Sequence, residues 1–241
     1  MITEIISPST AVSFNQRAAV IFSRYGISNN EHYSIAQLAE QKNLNTSFLV
    51  DVLNYFDDFQ DIRLEEFNKY SIPVLVDYLQ RSHRYYVEKK LPEIEQTINI
   101  LGALNDSQNS SINLLRCFFY DYRNELLKHF EMEEKLLFPY SKFLDQANCF
   151  NISLPLSLIY IQQYSVKEFT QQHQSSHEDL AKIKEAILSY SPSSTNQSPH
   201  RIIIEQLKNF EEDLQFHAMI EDEILVPKLQ KMENRIKAVL N

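Results

Sequence analysis

Only two glycines, Gly26 and Gly102, occur in a chain of 241 residues. Multi-stranded sheets depend on glycine for tight turns, bulges and positive-φ positions, and two cannot supply them. Leu, Ile, Glu, Gln and Lys abound instead, so the chain is expected to be all-α. The same scarcity excludes the phosphate-cradling loops GxGxxG and GxxxxGK[ST] and the GxSxG serine elbow, each of which needs several glycines close together. Nucleotide-dependent chemistry and ordinary serine hydrolysis therefore fall away. With 44% hydrophobic residues the chain has material for a sizeable core.

The formal charge of −9 repels a phosphate backbone, and no basic run provides a local exception, so nucleic acid is not expected as a partner. Met1 to Thr10 lacks a basic segment followed by an apolar one, and the longest apolar run, Leu154 to Ile161, is far too short to span a bilayer. No membrane partner and a cytoplasmic location are the expectation. Cys117 and Cys149 lie outside any CxxC or CxxxC spacing and read as free thiols in a reducing compartment, with Cys117, inside LLRCFFY, expected in the core.

Two regions are expected: a small helical N-terminal domain over 1–65 and a four-helix bundle over 70–241. In the first, YSIAQLAEQKNLNTSFLVDVLNYF gives two short amphipathic helices around a turn at Asn43 to Asn45. A helix-turn-helix reading is countered by Asp51, Asp57 and Asp58, which give the second helix the wrong charge for DNA. Beyond Ser71, long periodic segments near 71–104, 109–146, 163–190 and 200–238 suggest an up-and-down bundle. The connections fall at Asn105 to Ser110, near Cys149 to Pro155, and at SPSSTNQSP over 191–199. Pro92, inside the first long helix, should kink it or force a local irregularity.

Polar residues stand where the bundle core should be. The second helix carries a seam of Leu115, Phe119, Tyr122, Leu126, His129, Glu133, Leu136 and Tyr140, at alternating spacings of four and three. The fourth repeats it with Ile203, Leu207, Phe210, Leu214, His217, Glu221 and Ile224. The first presents Leu75, Leu79, His83, Val87, Leu91, Ile94 and Ile98, and the third Val166, Phe169, His173, His177, Leu180, Ile183 and Ile187. A buried charged glutamate without partners costs about several kcal/mol, and a buried imidazole needs partners for both nitrogens. A set spread over four helices calls for a shared partner.

A metal ion is that partner, because imidazole nitrogen and carboxylate oxygen both ligate first-row transition metals, and a spacing of four puts two donors on one helical face. HxxxE at 129/133, HxxxE at 217/221 and HxxxH at 173/177 give three helices two donors each, and His83 adds the fourth. Four or five imidazoles and two carboxylates exceed one ion's needs and suit a dinuclear centre in which glutamates bridge and some positions stay open for a small ligand. The lack of thiolate argues against structural zinc and iron–sulfur ligation. Two iron ions are the first choice, manganese the second.

SHRYYVEKKLPEIE, HFEMEEKLLFPY, QQHQSSHEDLAKI and HAMIEDEILVPKL resemble the successive metal-binding helices of hemerythrin-like domains, especially those of the repair-of-iron-centres diiron proteins. The resemblance spans about residues 75 to 230. Each HxxxE motif is followed by an apolar residue and proline, here Phe138-Pro139 and Val226-Pro227, and His83 precedes Leu91-Pro92-Glu93. The resemblance implies His83, His129, Glu133, His217 and Glu221 as ligands, with His177, His173 or both from the third helix. It also implies repair of iron–sulfur clusters under nitrosative or oxidative stress, by an iron-donating protein and not a conventional enzyme, with damaged iron–sulfur proteins as partners. Arg24-Tyr25-Gly26-Ile27 and Ser34 to Ala39 fit the short domain preceding the bundle in that family. Its adjacent cysteines are missing, and Ser28-Asn29-Asn30-Glu31-His32 stands in their place. Reversible binding or sensing of O2 or NO is the alternative, and a homodimer is left open.

Asp222 is the alternative to Glu221, although it stands one residue off the seam. Glu125, one turn before His129, is a candidate acceptor for an imidazole N–H, and Tyr85, Tyr86 and Tyr122 are candidates for lining the pocket. His32 and His200 are assigned to no site.

Overall fold

The computed structural model describes residues 1–55, 63–103, 110–150, 165–166, 169 and 197–240. Every regular element among them is helical, as the glycine content predicts. The chain divides into two compact units, Met1–Ser82 and His83–Asn241.

In the first unit, α1 (Pro8–Phe14) starts at Ser7, whose side chain accepts the Thr10 N–H, with proline in the first turn. Helix α2 (Ala18–Arg24) packs on α1 and on α4 (Thr46–Tyr55), which also receives α3 (Ile35–Gln41). A capping box formed by Ser34 and Gln37 opens α3. The turn expected after it is made by Asn43, left-handed at φ 54°, while Asn45 Oδ1 accepts the Phe48 N–H at 2.9 Å and so starts α4. Phe22, Ile35, Leu38, Phe48 and Val52 fill the core between these helices. Asp51, on α4, accepts from the Tyr70 hydroxyl at 2.5 Å and pairs with Lys69 at 2.7 Å, so its charge is engaged inside the unit.

Helix α5 (Ile72–Tyr85) crosses the division between the units. The second unit continues with α6 (Leu91–Ala103), α7 (Ser110–Met132), α8 (Phe138–Phe150), α9 (Gln197–Met219) and α10 (Val226–Leu240). Helix α6 packs against α7 and α9, and α8 against α10. The expected third bundle helix, with His173 and His177, lies outside the described residues apart from Val166 and Phe169, both helical and buried.

Among the described residues, three long helices each contain one wide π turn: Tyr86–Lys90 joins α5 to α6, Glu133–Leu137 joins α7 to α8, and Ile220–Leu225 joins α9 to α10. Each ends two residues before a proline: Pro92, Pro139 or Pro227. A proline ring inside an α-helix collides with the carbonyl four residues back and donates no hydrogen bond to it. Here the residue before each proline reaches back five positions, Leu91 to Tyr86, Phe138 to Glu133 and Val226 to Glu221, and the widened turn accommodates the ring. Pro92 thus produces the expected irregularity, which recurs at Pro139 and Pro227 among the described residues.

The extra residue in each turn corrects two of the seams. Val87 and Leu136, expected inside, are 38% and 41% exposed, while Tyr86 and Leu137 are fully buried. Inside a wide turn the buried position falls beside the one a constant helical period selects, one residue earlier in the first turn and one later in the second. Cys117, also expected in the core, is exposed. It lies two residues from both Leu115 and Phe119, the buried positions of α7, and two residues carry it to the opposite face of a helix.

A polar group in the second unit is satisfied by the chain itself. The buried carboxylate of Glu233, on α10, accepts the Val166 backbone N–H at 3.2 Å and pairs with Lys237 one turn on. Burial first, and the charge of Glu233 next, hold the Tyr140 phenol above its ordinary range.

Candidate metal centre

His83 and His129 occupy the last turns of α5 and α7, His217 the last turn of α9, and Glu133 and Glu221 the π turns that follow. The five residues named for the site from three helices thus all stand where an α-helix widens. His83, Glu133, His217 and Glu221 are buried, both glutamates completely, and His129 is partly exposed.

Donor atoms of His83, Glu133 and His217 all lie within 4.8 Å of one another. Glu133 turns its two oxygens to different helices: Oε2 is 2.8 Å from His83 Nε2, and Oε1 is 2.6 Å from His129 Nε2. His83 Nε2 also stands 3.2 Å from His217 Nε2, and His217 Nε2 is 3.5 Å from Glu221 Oε2. Aromatic rings enclose the imidazoles. Phe130 stacks on His83 at 4.1 Å and Phe138 lies 5.4 Å away, while Tyr86 and Phe130 lie edge-on to His217 at 5.9 and 6.1 Å. Of the three tyrosines expected near the site, Tyr86 has this contact; Tyr85 and Tyr122 are buried.

Burial opposes the charged form of His83, but hydrogen bonds to Glu133 and Glu134 outweigh it and raise its pKa to about 9. Burial dominates at His217 and lowers its pKa. The carboxylates of Glu133 and Glu134 thus favour the charged form of His83. Two imidazole Nε2 atoms facing each other across a carboxylate form a donor set that fits a transition-metal ion, since neutral imidazole and carboxylate share such an ion readily.

Glu221 is buried and Asp222 exposed. Glu125, a candidate imidazole partner set against a solvated side chain, is exposed. The carboxylate that meets an imidazole from outside the motif is Glu134, whose Oε1 lies 3.0 Å from His83 Nδ1. Motif reading passes over it because it follows an HxxxE pair and belongs to the turn whose width the helical period does not reveal.

No protein-family model matches the chain. It is similar to the "Iron-sulfur cluster repair protein ScdA" of Staphylococcus haemolyticus, with 20% identity over 214 residues. That span covers 88% of this chain and 91% of the relative. The likeness therefore extends over both units.

No helix among the described residues is long and apolar enough to cross a membrane.

Proposed function

We propose that this chain is a cytoplasmic non-haem diiron protein acting in the repair of iron–sulfur clusters damaged by nitrosative or oxidative stress, with the damaged cluster proteins as its clients. The observation that carries the reading is the disposition of Glu133. Its oxygens address imidazoles on two helices, His83 and His129, in the manner of a carboxylate shared between two ions. His83, His129, Glu133, His217 and Glu221 would hold the metal, joined from the third helix by His177, His173 or both. Similarity to a protein named for iron–sulfur cluster repair supports the role.

When bound, iron supplies exchangeable metal to a depleted cluster, which makes it cargo as much as cofactor. The residues of this chain do the rest. The imidazoles bind as neutral donors, the two glutamates balance the ionic charge, and Phe130, Phe138 and Tyr86 limit access of water. Serine, asparagine and histidine in place of adjacent cysteines at 28–32 remove thiol chemistry from that segment. This favours a second reading, reversible binding or sensing of O2 or NO.

Metal analysis of the purified chain is expected to give about two irons per chain with a diiron absorption band, on the donor count above. Recovery of a damaged cluster enzyme by the iron-loaded form, and not by the stripped form, would establish repair. Reversible ligand uptake with full iron retention and no recovery would favour the second reading, and a chain that takes up no metal would end both.

A further inference from the structure

We infer that Glu134 is a positioning residue of this centre, which fixes the orientation and tautomer of His83 so that its Nε2 is the nitrogen offered to metal. The inference rests on the diiron reading above and assigns a role to a residue outside its ligand set. His83 is held between rings, with Phe130 stacked at 4.1 Å and 23° and Phe138 at 5.4 Å and 26°. Stacking fixes the plane of the imidazole but not which edge faces the core, because rotation by half a turn leaves the plane unchanged.

The two edges meet different carboxylates. Nε2 faces Glu133 at 2.8 Å and His217 at 3.2 Å, while Nδ1 faces Glu134 at 3.0 Å. Consecutive residues of one π turn thus bracket both nitrogens of an imidazole that belongs to another helix. With Glu133 taken up by a cation, the acceptor left to the ring is the one at Nδ1, which would select the neutral tautomer protonated there and leave the Nε2 lone pair directed inward. The side chain of Glu134 is 35% exposed and that of Glu133 fully buried, so the outer carboxylate is held at less desolvation cost and is not itself drawn into the core. Carboxylates in this position orient ligand histidines and raise their basicity, and losing one weakens metal binding roughly 10–100-fold.

The test compares the full-length chain with Glu134→Ala, Glu134→Gln and Glu131→Ala, measuring ferrous-ion affinity by competition with a chelator and folding by thermal transition. Glu131 is exposed on the same stretch of helix and paired with Lys135, so its removal changes the charge and leaves His83 untouched. Glu134→Ala is expected to weaken binding about 10–100-fold. Glu134→Gln, whose Oε1 accepts the same hydrogen, should restore most of the loss, and Glu131→Ala should bind like the unaltered chain. Undiminished affinity in Glu134→Ala, an equal loss in Glu131→Ala, or failure of glutamine to rescue overturns the inference while leaving the diiron reading intact. An unaltered chain that binds no metal overturns both. Should Glu134→Ala fail to fold, nitrogen-15 spectra of the zinc-loaded unaltered chain decide the question: a hydrogen on His83 Nδ1 supports the assignment, and one on Nε2 defeats it.

Discussion

Two buried carboxylates in the second unit, Glu233 and Glu133, lie under similar burial and meet different kinds of partner. Glu233 pairs with Lys237 and accepts the backbone N–H of Val166, groups that the chain supplies whatever else is present. Glu133 meets imidazoles, His83 and His129, which balance its charge only when protonated. A buried acid served by a lysine and a backbone donor is a device for holding helices together. One served by imidazoles can exchange their protons for a metal ion, and that difference is what makes the second cluster a candidate centre.

The largest effect should come from removing metal. A cation that binds the folded chain alone stabilises it by about 4 kcal/mol when present at roughly a thousand times its Kd. Denaturation of the loaded chain, with and without a chelator, should show a loss of that order. Superimposable curves would dissolve the contrast between the two acids.

Exchanging one acid at a time sharpens it. Glu133→Gln is expected to abolish the metal-dependent increment and to lower affinity by more than the roughly 10–100-fold that an outer partner is worth. Glu233→Gln should leave metal affinity unchanged and lower stability by about 1–3 kcal/mol in loaded and stripped forms alike. The two observables, affinity and metal-independent stability, should therefore separate cleanly between the variants. A Glu233 variant that loses metal would make the two clusters one system.

Acidity distinguishes them further in the stripped chain. His83 titrates at about 9 folded against 6.5 as the ordinary value, so the folded state holds this proton more tightly. Its contribution to stability is complete below pH 6.5 and is lost as pH rises through 9. His217 is shifted downward, so its contribution works the other way, present above the ordinary value and lost on acidification. The alkaline decline is accordingly assigned to His83. Loading should abolish it, because coordination requires the neutral imidazole. Urea midpoints across pH 6 to 9.5, for stripped and loaded chains, give the comparison; an alkaline decline of equal size in both would assign it elsewhere.

Much of this was legible in the sequence, and the failures share a cause. Glycine scarcity gives the all-helical class, which needs only composition, and Asn43 to Asn45 the turn, which needs only neighbouring residues. Histidines and glutamates at spacings of four on apolar stripes were enough to nominate His83, Glu133 and His217, which the fold brings together. Leu136, Val87 and Glu134 were misplaced or overlooked because each lies in a π turn, and a constant period carries no record of that. The prolines were the available signal. Each stands just beyond its wide turn, so Leu-Pro, Phe-Pro and Val-Pro mark where extrapolation along a seam should stop. Cys117 was misread for a different reason: the apolar run LLRCFFY hides which of its members face inward.

The smallest effect concerns Lys237, whose side chain is 46% exposed while that of Glu233 is 7% exposed. Water screens a pair that is open on one side, so Lys237→Ala is expected to cost about 1 kcal/mol or less, with no change in metal affinity. The size of the loss tells how Glu233 is held. A small value means that the Val166 N–H satisfies the carboxylate largely without the lysine, and that this contact fastens Val166 to α10. A loss approaching that of Glu233→Gln would instead make the ammonium its principal support. The contrast with Glu133 would then be one of cation against cation, a lysine in one cluster and a metal in the other, with the backbone donor secondary.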